Sequence, residues 1–444
     1  MAKDLATNGH SVRPVSYPCI KNDVSVLCNK MGVDVLPTMK QPPAGYVRGF
    51  LDAAKETIKG GLGYFVWLLF LALVVGNGLV RYIDQLQNGL IVTNMRAQVS
   101  WGFYISNFTF LVGVAAAAVL LVIPAYVYNF KPIKEIAFMG EMMAITAVIM
   151  CTLFVTVDVG NPSKLWHLAP IIGRPNFPRS LLTWDILVLN GYLAINAFIL
   201  FYVMLRVSRG QSYKVILPLI MLSIPWAVGI HTVTAFLYNG LVARPFWNAA
   251  ILAPRFLASA FCSGPALMVL VLQVVGKTFK INIDRRALDK VAELIAYALA
   301  FNLFLFGAEA FKEFYGQSQH MAPLQYLYLG LRGHRALVPF MWFALTLDLT
   351  VLVLFVVPSF RHKPILRNTG CAMLIVAVYI EKGLGLVVPG FTPDVLGEIY
   401  EYFPSSVELS VAAGIWAFGA IIYTFLAKFA VPVCIKAGHF TEAE

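Results

Sequence analysis

The sequence predicts an all-α integral membrane protein of about ten transmembrane helices. Three observations carry that reading. Of the 444 residues, 59% are hydrophobic and only 13% are charged, against about 25% charge in a soluble domain. The apolar residues gather in runs long enough to cross a hydrocarbon layer of about 30 Å. The short segments of alternating polarity that mark a transmembrane barrel are absent.

The spans fall at roughly 61–81, 102–129, 134–157, 181–206, 213–237, 250–275, 290–313, 336–358, 365–388 and 406–432. Spans 2–5 and 6–9 read as two four-helix bundles, with spans 1 and 10 flanking. A weak repeat supports the pairing. Asp158 and Glu309 lie 151 residues apart, and His231 and Glu381 lie 150 apart. Asp185 and Asp348 correspond more loosely, at 163. Four spans is an even number, so both bundles would share one orientation.

Three regions follow: a polar N-terminal tail over 1–60, a ten-helix membrane domain over 61–432, and a short tail over 433–444. Within the first, residues 44–60 place Tyr46, Phe50, Ala54 and Ile58 at helical spacing, as an amphipathic surface helix would. The first apolar run starts near Gly61, too far in and too long for a cleaved leader, and reads as an uncleaved insertion signal. Lys and Arg set the orientation. Of 34, 23 fall on the side of the two tails and 10 on the other, with Arg255 inside a span. Both termini are therefore expected in the cytoplasm, with the protein in the cytoplasmic membrane. The longer loops, 82–101, 158–180, 238–249, 314–335 and 389–405, would face outward. They are rich in Trp, Tyr, Pro and Asn, as a docking surface or an interfacial aromatic belt would be. The net charge of +11 reflects this topology rather than a nucleic-acid partner. The six cysteines form no CxxC motif and read as packing residues and free thiols; Cys19 and Cys28 are the pair able to bond or to bind metal with a partner.

An ionisable side chain in hydrocarbon costs about 2.5–3.5 kcal/mol on insertion scales, so each one needs a reason. Asp158, His167, Asp185, His231, Arg255, Glu309, Glu313, Glu381 and Glu408 cluster toward the outer face. Asp348 is close to the midplane, Glu141 lies nearer the cytoplasm, and Glu293 sits at the cytoplasmic end of span 7. Glu313 and Glu408, near span ends, read as solvated. A transported ion is more often held at the midplane. An outer cluster of acids and histidines suits a lipid-soluble redox partner that exchanges protons near the surface. A quinone is such a partner: its carbonyls need donors and its quinol hydroxyls need acceptors, and His does both. The segment around span 4 supplies Trp166 and His167 just before it and Asp185, Asn190 and Tyr192 within it. Asp185, one turn in, could face His167. Asp158 joins this set, with His231, Arg255, Glu309 and Glu381 as a supporting outer cluster. Glu141, Asp348 and Glu293 would continue a proton path inward. Only His231 is well inside a span, so paired-His haem is not expected. No GxGxxG, Walker A, HExxH or Cys cluster is present, so no metal site or iron–sulfur cluster is expected in this chain.

The stretches GNPSKLWHLAP and SLLTWDILVLNGY, then PWAVGIHTVTAFLYNGL and ARPFWNAAILAPRFLASAFCSGPAL, then FGAEAFKEFY, resemble the membrane subunit of the polysulfide reductase (NrfD-like) family. The resemblance extends over roughly 61–432 and rests on the order of these stretches. It implies ten helices, no haem, and a quinone site near the outer face, menaquinone ahead of ubiquinone. It also implies an extracytoplasmic, ferredoxin-like iron–sulfur partner and further cytochrome or membrane subunits. His167 and Asp185 match the stretch lining the family's quinone pocket; His231, Arg255 and Glu309 match polar positions of its bundles. Two rival readings stay open: a proton-coupled secondary transporter with a midplane site at Asp348, and a purely structural anchor.

Overall fold

The structure is a computed structural model. It describes residues 55–436, apart from Glu56, Pro170, Ile171, Gly210, Tyr213, 318–320 and Val395. Cys19, Cys28, most of the expected amphipathic segment 44–60 and the tail from 437 lie outside the described residues. Ten helices are long and apolar enough to cross a membrane: α1 (Leu62–Asn88), α2 (Phe103–Val127), α3 (Lys131–Asp158), α4 (Leu181–Val207), α5 (Lys214–Asn239), α6 (Leu252–Phe279), α7 (Arg285–Gly316), α8 (Val338–Val356), α9 (Pro364–Phe391) and α10 (Ser406–Ile435). The described residues form no strand.

Several helices outrun the apolar text that marks them. The sequence ends span 1 at residue 81, yet α1 continues through RYIDQLQN to Asn88. A 27-residue helix is about 40 Å long at 1.5 Å per residue, beyond the hydrocarbon layer. Its last turns are polar because they have left that layer.

In sequence order, α2, α3, α4 and α5 pack each on the next, and α2 returns to α5. The pattern recurs in α6 to α9, with α9 against α6. The two sets meet where α2 and α5 pack on α6. Helix α1 packs chiefly on α10, and α10 also covers α3. At the α1–α10 crossing, Gly78 faces Gly414: a methyl group added to Gly78 would lie 2.8 Å from Gly414 Cα. Backbones approach this closely only through small residues.

Polar side chains knit the helices internally. Asn107 on α2 accepts from Tyr379 Oη on α9 at 2.9 Å and from Trp416 Nε1 on α10 at 2.8 Å. Gln273 on α6 and Asn368 on α9 exchange amide hydrogen bonds at 2.5 and 2.8 Å. Bonds of this kind contribute about 0.6 kcal/mol each in membrane proteins. Helix α2 is irregular at its far end. After Ala116 it resumes, then closes as a π-turn over Ile123–Val127, with Tyr128 N donating to Ile123 O at 3.3 Å. Pro124 has no N–H to give the preceding turn, and the wider turn accommodates it.

The long loops sit at one end of the bundle. Their tryptophans are not all outward. Trp247 is fully buried, donates to Leu386 O at 2.9 Å, and packs with Trp101, Tyr238 and Phe391. This aromatic cluster joins α2, α5 and α9, and leaves Trp166 and its loop as exposed aromatic surface. Glu408, read from sequence as solvated, is completely buried. It accepts from Asn94 N at 2.9 Å, Ser405 N at 2.8 Å and the Tyr402 hydroxyl, while its own N–H donates to Ser405 Oγ at 3.3 Å. That reciprocal Ser–Glu arrangement is a capping box starting α10. Glu313 is buried as well, against Lys312 at 2.9 Å. A position near a helix end predicts water only when no loop folds over it.

At the opposite end, Asp284 caps α7 by accepting from Arg286 N at 2.8 Å, and the Arg286 guanidinium holds its carboxyl below the usual range. Asp289 pairs with Arg367 and with His362 Nδ1 at 2.8 Å. Glu293 pairs with Lys290 at 2.9 Å and with Arg361 at 3.4 Å, and Tyr297 donates to it at 3.0 Å. Glu293 is thus occupied in tying the α8–α9 turn to α7.

Candidate functional site

At the long-loop end, α1 and the chain leaving α3 enclose a cleft of about 290 Å3. Its walls include Tyr82, Gln85, Leu86 and Leu90 on one side and Gly160, Asn161 and Ser163 on the other. The extra turns of α1 build the first wall. Gln85 is held on two sides. Its Nε2 donates to Val157 O at 2.7 Å, and its Oε1 accepts from Tyr104 Oη at 2.7 Å. Asp158 follows Val157 directly. Its Oδ1 is buried and has no hydrogen-bond partner. A buried carboxylate oxygen without a donor is costly, and such groups mark places where a ligand or proton is expected.

The cleft wall continues into a 3-10 segment, Pro162–Leu168. Trp166 and His167 are exposed there, with ring centroids 3.7 Å apart in a stacked pair. The sequence suggests that Asp185 faces His167, and the structure separates them. Asp185 is only 1% exposed and turns to α5, where Thr234 Oγ1 donates to its Oδ1 at 2.6 Å. No hydrogen bond or ion pair joins it to His167. Tyr192, seven residues on, shares the face of Asp185, is buried, and donates to Ala115 O at 3.3 Å. Asn190 does not share it. Five residues at about 100° each put it some 140° away, and it is exposed, donating to Ile186 O at 2.8 Å.

The supporting cluster divides between the two helix sets. His231 on α5 is fully buried, with Nδ1 2.8 Å from Ala227 O. Arg255 on α6 forms an ion pair with Glu309 on α7. Asp348 on α8 is 0% exposed and faces the Glu381 carboxyl, the two sharing a side-chain hydrogen bond, and Asn302 bonds to Glu381 as well. Glu141 on α3 is 3% exposed with Oε2 unpartnered, apart from the other acids.

Sequence reasoning passed over Gln85, Tyr104, Thr234 and Lys382. Gln85 lay beyond the assumed end of span 1. Lys382 had a legible signal, since it follows Glu381 deep in an apolar run. Among the described residues no group of His, Cys, Asp and Glu has the geometry of a metal site.

A bundle of ten long apolar helices defines a multi-pass integral membrane protein. The chain belongs to the polysulphide reductase NrfD family, whose profile it matches over residues 91–388. A putative dimethyl sulfoxide reductase membrane subunit of Halobacterium salinarum is 25% identical over 397 residues, 80% of this chain and 88% of the relative. A selenate reductase subunit of Mesobacillus selenatarsenatis is 24% identical over 419 residues, 84% of this chain and 94% of the relative. An Hdr-like menaquinol oxidoreductase integral membrane subunit of Archaeoglobus fulgidus is 22% identical over 374 residues, 81% of this chain and 91% of the relative.

Proposed function

We propose that this chain is the quinone-reactive membrane subunit of a multi-subunit respiratory oxidoreductase. It exchanges electrons between menaquinol and an extracytoplasmic iron–sulfur subunit, in a cytoplasmic membrane with both termini inside. The observation that carries this reading is the cleft between α1 and the 159–163 chain, with Asp158, whose buried Oδ1 has no partner, one residue before the lining begins at Val159. The family and the reductase and menaquinol oxidoreductase names of the relatives point the same way.

The lining fits a quinone head group. Leu86 and Leu90 offer apolar contact, and Tyr82 and Asn161 offer donors; Asp158, next in the chain to the lining residue Val159, is the acceptor we assign. A bound quinol supplies two electrons and two protons. Asp158 takes a hydroxyl proton on its free oxygen, and Gln85 and Tyr104 keep the segment bearing Asp158 in place. Trp166 and His167 form an exposed lip through which protons reach water. Asp185, held by Thr234, is a second proton acceptor further in. From there protons have a path toward His231, Asp348 and Glu141.

The test uses the purified complex and a soluble naphthoquinol. Asp158→Asn and Asp185→Asn should each lower quinol-driven reduction of the partner by about 100-fold, the scale of a lost general base, with assembly intact. Unchanged turnover in both rejects the assignment. The buried Asp348–Glu381 carboxyl pair favours one rival, a proton-coupled transporter. Solute uptake by the chain alone in liposomes would establish that reading instead.

A further inference from the structure

Lys382 takes no part in the site above, and its surroundings are unusual. It lies on α9 inside the membrane span and is 5% exposed. Its Nζ donates to Phe256 O on α6 at 2.8 Å and sits 4.9 Å from the Phe256 ring centroid. It also reaches α2. A methyl group added to Gly113 would lie 3.4 Å from Nζ and 3.5 Å from Ser263 Oγ. Those are ordinary contact distances, and they place Nζ at the seam where α2 of the first helix set meets α6 and α9 of the second. An ammonium carries three donors, and one of them is placed. Among the described residues no carboxylate forms an ion pair with it. A fixed buried cation without a counter-ion is strongly unfavourable. A group that gains and loses a proton avoids that cost.

The neighbours supply both directions of transfer. Within electrostatic reach are His231 on α5, Arg255 and Cys262 on α6, and Glu381 on α9 itself. Asp348 on α8 stands next to Glu381, and Glu309 on α7 neutralises Arg255; Gly113, the α2 residue against Nζ, brings no ionisable group. His231 sets Nδ1 2.8 Å from Ala227 O, and its ring also meets the backbone of Val112, the residue before Gly113 on α2. One turn along α5, Thr234 holds Asp185.

We propose that Lys382 is the proton-carrying link between the two helix sets, receiving from the His231 side and delivering to Glu381 and Asp348. This rests on the reading that the subunit moves protons as quinol turns over. In the first step the Nε2–H bond of a protonated His231 breaks and a new N–H bond forms on the Lys382 amine, leaving neutral histidine and an ammonium. In the second, one ammonium N–H breaks and an O–H forms on the Glu381 carboxylate, leaving amine and carboxylic acid. Charge is conserved throughout. The four-carbon stem lets Nζ swing from Phe256 O toward Glu381.

The experiment places the purified complex in sealed vesicles with a soluble naphthoquinol outside and a pH-sensitive dye inside. Protons displaced per electron are compared for wild type, Lys382→Met and Lys382→Arg. Arginine keeps the charge and cannot release a proton. Both variants should oxidise quinol within about twofold of wild type in proton-leaky vesicles, yet displace under about a tenth of the protons per electron. A wild-type ratio in either variant overturns the proposal; in Lys382→Arg it would show that charge alone suffices. Loss of quinol oxidation in Lys382→Met, in leaky vesicles, also overturns it. Should the guanidinium not fit beside Gly113, the methionine variant decides alone. Wild-type quinol oxidation with no proton displacement sinks this link while leaving the quinone site standing, and no quinol oxidation at all in the wild type sinks the site.

Discussion

Tyr104 on α2 donates to Gln85 on α1 at 2.7 Å, and Gln85 in turn holds the carbonyl of Val157 at 2.7 Å. Three helices are thereby pinned next to the unpartnered oxygen of Asp158. Removing the hydroxyl with Tyr104→Phe deletes a bond worth about 1 kcal/mol, which corresponds to a rise in quinol KM of about fivefold with kcat kept. Gln85→Leu should do more, because it strands both the Tyr104 hydroxyl and the Val157 carbonyl. Steady-state quinol titrations of the complex check both.

Arg255 and Glu309 form a pair that is mostly out of water. Arg255→Met should destabilise the subunit by about 3 kcal/mol, the lower end for breaking a buried pair, because Glu309 is left uncompensated. Arg255→Met with Glu309→Leu should recover most of that loss. Thermal unfolding in detergent, followed by release of the complex's subunits, separates the single variant from the double.

Glu408 satisfies three donors at the start of α10, among them the backbone of Asn94 from the loop after α1. Glu408→Ala orphans all three and should cost about 1–3 kcal/mol. Its effect should appear as faster hydrogen exchange at Asn94 and Ser405 before any change in quinol turnover.

The membrane spans were legible because hydrocarbon punishes polar backbone and charge alike, so a span is long, apolar and helical whatever its neighbours. The burial of His231, Asp348 and Glu141 was legible for the same reason. Partners were harder to read. Asp185 lies one turn into α4, and its nearest sequence-local candidate was His167; the bond it makes is to Thr234, 49 residues on. The apparent cluster of Trp-rich loops concealed an inward cluster around Trp247, since composition does not say which side of a loop meets the bundle. Asn190 was grouped with Asp185 by proximity in sequence, though the helical turn sends them apart. Gln85 was missed because α1 continues past its apolar stretch, and that continuation forms one wall of the cleft.

Helix α1 packs mainly along α10, crossing it where Gly78 meets Gly414, and reaches α2 and α3 through Gln85. Its main neighbour is therefore a segment more than three hundred residues away in the chain, Gly414 following Gly78 by 336 positions. The cleft wall that α1 contributes thus leans on a helix that lines no part of the cleft, so a change at the glycine crossing would be felt at a distance.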